Sequence, residues 1–229
     1  MKGLLGRKLG MMQLFNQDGG SVPVTVLEAG PCVVVQRKSR DKDGYESLQI
    51  GFQEERPKRV NSPRKGHFER AQVKPCKHLR ELKFSDMEKI NVGHELKVDL
   101  FKAGERVDVI GISIGKGFQG GMKRHKFGGG PNSHGGMSHR RPASGGETNA
   151  ARRFPGSRGP GHMGYHQVTA LGLIIERVDT DRNLLLVRGS VPGPNGKIIT
   201  IRESVKTKKL STGQKHEEPK ETKAKPKKK

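Results

Sequence analysis

Tryptophan is absent from this chain, tyrosine occurs twice, and cysteine occurs only as Cys32 and Cys76. With eight phenylalanines as the remaining aromatics, the stacking platforms that many single-strand nucleic-acid binders use are poorly supplied. The two cysteines stand 44 residues apart without a CxxC partner, which argues against a zinc site or redox pair and for two buried, inert thiols. No window approaches the roughly 20 apolar residues of a membrane span. The start, Met1-Lys2-Gly3-Leu4-Leu5-Gly6-Arg7-Lys8, has no apolar stretch of signal-peptide length. A membrane is therefore not an expected partner, and the expected location is the cytosol. The largest absence is internal. Residues 115–167 run for 53 positions without a Val, Ile or Leu, and residues 115–165 hold a single acid, Glu147.

What fills that stretch is glycine and positive charge. Residues 115–165 contain 15 glycines and nine Lys/Arg: Lys116, Lys123, Arg124, Lys126, Arg140, Arg141, Arg152, Arg153 and Arg158. So little apolar surface cannot offset the entropy of ordering so many glycines, so the stretch is expected to be irregular and mobile by itself. Because apolar, strand-like segments flank it on both sides, it reads as an excursion from a folded body. The formal net charge of +22 divides into about +8 here, +7 in residues 206–229 and +7 in the rest. Lys and Arg at that density match a phosphate backbone, where neutralising each phosphate releases counterions. Nucleic acid is the partner class this predicts.

The rest reads as short strands. Residues 22–27, 32–37 and 45–52 are candidates, punctuated by Asn16-Gln17-Asp18-Gly19-Gly20, Gly30-Pro31 and Asp41-Lys42-Asp43-Gly44. From Glu54 to His78 the chain is basic and proline-punctuated, with one helix candidate over 64–73 opened by Ser62 as N-cap and Pro63 in first helical place. Strands resume at 95–101, 106–114, 168–177, 184–188 and 197–202. The last pairs are joined by hairpin signals at 179–183 and 194–196. Short strands at about ten-residue spacing predict a mainly β fold, a small antiparallel barrel. We assign residues 1–30, 95–114 and 166–205 to the barrel, 31–94 to a smaller α+β lobe, 115–165 to the excursion and 206–229 to a disordered Lys-rich tail.

Gly115-Lys116-Gly117-Phe118-Gln119-Gly120 matches G-x-G-x-x-G after a strand, yet a dinucleotide site needs that turn to open an apolar-periodic helix and an acid about 20 residues on. The sequel, from Gly121 to Pro131, contains no acid and is not expected to sustain a helix. A nucleotide-dependent enzyme is disfavoured, as are a cofactor and a small-molecule substrate. His125, His134, His139 and His162 lie in the same segment, but without nearby thiolates or paired carboxylates they suit RNA contact better than metal binding or acid–base work. Arg140-Arg141-Pro142 and Arg152-Arg153-Phe154-Pro155 place paired guanidiniums beside prolines that stiffen the backbone. A free RNA chaperone or nucleoid-type protein would explain the charge but not a barrel interrupted by one internal excursion.

The motifs Gly6-Arg7-Lys8-Leu9-Gly10-Met11, Gly115-Lys116-Gly117-Phe118-Gln119-Gly120, Lys123-Arg124-His125, Ser133-His134-Gly135, His139-Arg140-Arg141-Pro142, Gly161-His162-Met163-Gly164 and Arg182-Asn183-Leu184-Leu185-Leu186-Val187 resemble the large-subunit ribosomal protein L-three family in its bacterial form. The resemblance implies a translation-factor-like β-barrel and a structural, non-enzymatic role. It implies neighbouring ribosomal proteins and 23S ribosomal RNA as partners, bound early in assembly near the RNA's 3′ end. It also implies a central extension reaching toward the peptidyl transferase centre. On this reading Lys116, Lys123, Arg124, His125, Lys126, His134, His139, Arg140, Arg141, Arg152, Arg153 and Arg158 contact RNA. The tight turn Gly159-Pro160-Gly161-His162-Met163-Gly164 forms the tip. Ile114 departs from the Lys that many relatives carry there.

Overall fold

The computed structural model describes residues 1–15, 19–85, 87, 90–142, 144, 146 and 148–206. The tail beyond Lys206, part of the turn at 16–20 and Glu147 lie outside the described residues.

Six strands close an antiparallel barrel: β1 (Gly3–Phe15), β2 (Ser21–Ala29), β7 (Arg106–Ile112), β10 (Gln167–Asp179), β11 (Leu184–Arg188) and β12 (Ile198–Glu203), in the cyclic order β1-β12-β7-β10-β11-β2. Closure removes the edges at which a strand could recruit another chain. Alternate residues turn inward, so Leu4, Leu27, Val107, Val109, Ile175, Leu185, Val187, Ile199 and Ile201 are fully or almost fully buried. A bulge in β10 shifts its register between Ala170 and Leu173. There Gly172, at φ +67°, donates its N–H to Asp108 Oδ1 at 2.9 Å. Asp108 is itself buried, and Arg202 of β12 lies 3.5 Å from its second oxygen.

The lobe is a four-stranded sheet in the order β5 (Cys76–Leu82), β4 (Ser47–Glu54), β3 (Cys32–Lys38), β6 (Glu95–Leu96), with the short helix α1 (Arg40–Asp43) between β3 and β4. Helix α2 (Ser62–Arg70) begins at Ser62 with Pro63 in its first turn, and ends before the expected residue 73. Its one buried side chain, Phe68, packs with Val35, Cys76 and Leu79. Residues 95–101 are not a barrel strand. Cys32 pairs with Leu96 and Val33 with Glu95, and Val98–Leu100 is a single 3-10 turn, so the lobe keeps this segment through backbone pairing that sequence pattern does not reveal. One apolar cluster runs from barrel residues such as Leu5 and Ile175 through Cys32, Val34, Leu48 and Ile50 of the lobe. Barrel and lobe therefore share a core. Both cysteines are free and buried, and burial pushes the Cys32 thiol up to about 12, which leaves it protonated and unreactive.

Candidate nucleic-acid interface

β7 and β10 are neighbours in the barrel, and the excursion leaves from one and returns to the other. Gln167 pairs with Ile112. One step outward Ser113 donates its N–H to the carbonyl of His166 at 2.9 Å, and His166 returns an N–H to Ser113 Oγ at 3.1 Å. At the next step the chains nearly touch: Gly164, at φ +76°, lies so close to the carbonyl of Ile114 that a Cβ has no room.

The excursion is less irregular than its composition implies. β8 (Gly117–Gln119) pairs with β9 (Gly161–Met163), in the register Gly117 to Met163, Phe118 to His162 and Gln119 to Gly161. Helix α3 (Gly121–His125) follows β8, closed by the Arg124 N–H on the Gly120 carbonyl at 3.0 Å. The expectation that this segment cannot be helical is corrected. Gly121 is buried beneath the Phe127 ring, which occupies the space a Cβ would take, and this packing replaces the missing apolar stripe. A second correction concerns the turn at 159–164. Gly161, His162 and Met163 form a strand of the stem, so the chain reverses farther out, between Gln119 and Gly161.

The cations fall into two kinds. Arg124 is half-buried and donates to the Gly159 carbonyl at 3.0 Å, and Arg153 donates to the Arg158 carbonyl at 2.9 Å. These two guanidiniums brace the excursion and keep their remaining donors for a partner. Lys116, Lys123, Lys126, Arg140, Arg141, Arg152 and Arg158 are exposed, and Arg152 lies over the Phe154 ring at 5.5 Å. Of the histidines, His134 is exposed at φ 60°. His139 lies with Nδ1 3.1 Å from the Pro131 carbonyl, in a loop that folds back on itself through the Gly130 N–H on the Ser138 carbonyl. His125 lies against Phe127 with ring centroids 5.8 Å apart, and His162 is exposed. Every ion pair among the described residues belongs to the barrel or lobe, and none involves an excursion cation. No group of three His, Cys, Asp or Glu among the described residues is placed to hold a metal ion.

The sequence reading missed one feature. Phe118, Phe154 and Tyr165 stand 67%, 50% and 70% exposed on the excursion. The lobe carries a basic surface: residues 56–80 hold nine Lys/Arg against one acid, Glu69. Burial lowers the His78 pKa first, and the positive neighbours Lys77 and Arg80 lower it further.

Residues 61–183 match the family model for ribosomal protein L3. The chain is 53% identical over 207 residues to the large ribosomal subunit protein uL3 of Carboxydothermus hydrogenoformans, covering 90% of this chain and 99% of that relative. The chain belongs to the ribosomal protein L3 family. The uL3 proteins of Heliobacterium modesticaldum and Finegoldia magna agree, at 54% identity over 207 residues and 51% over 209, spanning 99% and 100% of their lengths. Membership makes this protein a structural constituent of the large ribosomal subunit and not an enzyme. The excursion lies wholly inside the matched L3 segment, so its glycine turn belongs to a ribosomal protein and not to a dinucleotide site.

Proposed function

We propose that the protein binds 23S ribosomal RNA directly, through the excursion, and joins the subunit early in assembly near the RNA's 3′ end. The observation that carries this is the set of excursion cations that have no carboxylate partner among the described residues, mounted on a stem whose base is hydrogen-bonded between the ends of two barrel strands. Phosphates are the counterions such a limb lacks, and directed guanidinium contacts suit folded RNA. The exposed basic face of the lobe supports a second contact area on the same RNA. The excursion beyond the β8–β9 stem, carrying Lys126, Arg140, Arg141, Arg152 and Arg158, reaches toward the peptidyl transferase centre and supports its shape without chemistry. Neighbouring ribosomal proteins complete the environment, in the cytoplasm. Sedimentation of tagged protein through sucrose gradients tests the reading. The wild type co-migrates with large subunits through moderate salt, while an Arg140→Ala, Arg141→Ala double variant is released at lower salt. Release of both at the same salt would remove the excursion from the binding surface.

A further inference from the structure

The β8–β9 stem has two unlike faces. Side chains alternate along a strand, which puts Gln119, Gly161 and Met163 on one face and Phe118 and His162 on the other. The first face is covered: the Arg124 guanidinium lies 2.6 Å from where a Gly161 Cβ would stand, and Gly161 and Met163 are half-buried. Nothing among the described residues covers the second. Phe118 is 67% exposed, and His162, directly opposite, is exposed too. The two rings sit with centroids 6.0 Å apart at 86°, so they form the floor and wall of an open corner. Lys116, exposed, precedes Phe118 by two residues at the foot of the stem, where its N–H donates to the Met163 carbonyl at 2.9 Å. An aromatic ring fixed by backbone pairing yet left in water loses apolar burial for no gain to the fold.

We infer that the Phe118–His162 face of the stem is a nucleobase-stacking site, taking one unpaired base of RNA on the Phe118 ring, against His162, with the adjoining phosphate on Lys116. The occupant is set by charge as well as shape, since a flat aromatic group among cations, on a limb with no acid among its described residues, suits a nucleotide better than an apolar peptide. This inference rests on the RNA-binding reading, and narrows it to one residue that composition alone gave no reason to choose.

The test uses the full chain and a short single-stranded uridine oligoribonucleotide carrying one central 2-aminopurine, whose fluorescence falls when it stacks. The wild type binds with a salt-dependent affinity and quenches the probe. Phe118→Ala loses the quench and about tenfold in affinity, within the range for one stacked base, while its salt slope is unchanged. Phe118→Tyr keeps the quench. Lys116→Ala keeps the quench but lowers the slope by about 0.7, one phosphate on a single strand. A Phe118→Leu variant that retains the wild-type quench would show apolar packing in place of stacking and overturn the proposal, as would an undiminished quench in Phe118→Ala. Salt-dependent binding by the wild type without any quench would remove the stacking site and leave the RNA reading standing, whereas no binding at all would remove both. Ultraviolet cross-linking of intact large subunits supplies the native check. The tryptic peptide from Gly117 to Lys123 should carry a nucleotide, and a protein adduct at Phe118 in its place would assign this face to a protein neighbour and overturn the proposal.

Discussion

At the scale of single residues, Asp108 holds three barrel strands together. It lies in β7, accepts the Gly172 N–H in the β10 bulge and faces Arg202 of β12. Removing one partner of a buried pair costs about 3–5 kcal/mol when the other is left desolvated, but Arg202 is 36% exposed and can rehydrate. We therefore expect Asp108→Ala to lower stability by roughly 2–3 kcal/mol, read from urea unfolding. A loss under about 0.5 kcal/mol would show that the pair is incidental. This role was not legible in the sequence, because the bulge that brings Gly172 to Asp108 depends on a register shift between distant strands. The inert thiols were legible, since two cysteines without spacing partners in a mainly β chain have little to do but fill a core.

Among the elements, the lobe carries an acid-sensitive cluster. The Tyr45 hydroxyl donates to Glu81 at 2.8 Å and the Lys38 ammonium lies 3.2 Å away, which together hold the Glu81 carboxyl below its ordinary 4.5. A depressed folded pKa stabilises the fold above the unfolded value and loses that contribution as pH falls through 4.5 toward the folded value. Thermal midpoints between about pH 5 and pH 3 should fall more steeply for the wild type than for Glu81→Gln, and parallel curves would show the cluster to be inconsequential. Strands and hairpin signals for the barrel could be read from β-branched runs between turn residues. A strand at 95 could be read, but not that β6 is two residues long and pairs in the lobe sheet, nor could α3, whose Gly121 start carries no helix signal and depends on Phe127 folding back. Gly159-Pro160-Gly161 reads locally as a reversal. Its actual state is set by β8, some forty residues earlier in the chain, a distance over which turn propensity has no say. The basic character of the excursion was plain, but which cations brace it and which remain free was not.

For the whole molecule, the junction at Ser113 and His166 matters most. A limb of more than fifty residues is attached at two points that are already hydrogen-bonded to each other, so topologically it is the loop of an ordinary hairpin between β7 and β10. Each halving of a flexible loop returns about 0.6 kcal/mol of closure entropy, so joining residues 113 and 166 through an Asn-Gly turn should leave the barrel as stable as before or slightly more so. Matching far-ultraviolet circular dichroism and an equal or higher thermal midpoint would confirm this, and an unfolded product would show that the limb helps to build its own support. Removing it also takes away about eight net positive charges of the +22, so the shortened protein should be soluble and a poor ligand for RNA. Two adjacent strand ends thus act as a socket. Whatever is spliced between them inherits a fixed place and direction without the body having to fold differently, which makes this barrel a ready mount for other inserted segments.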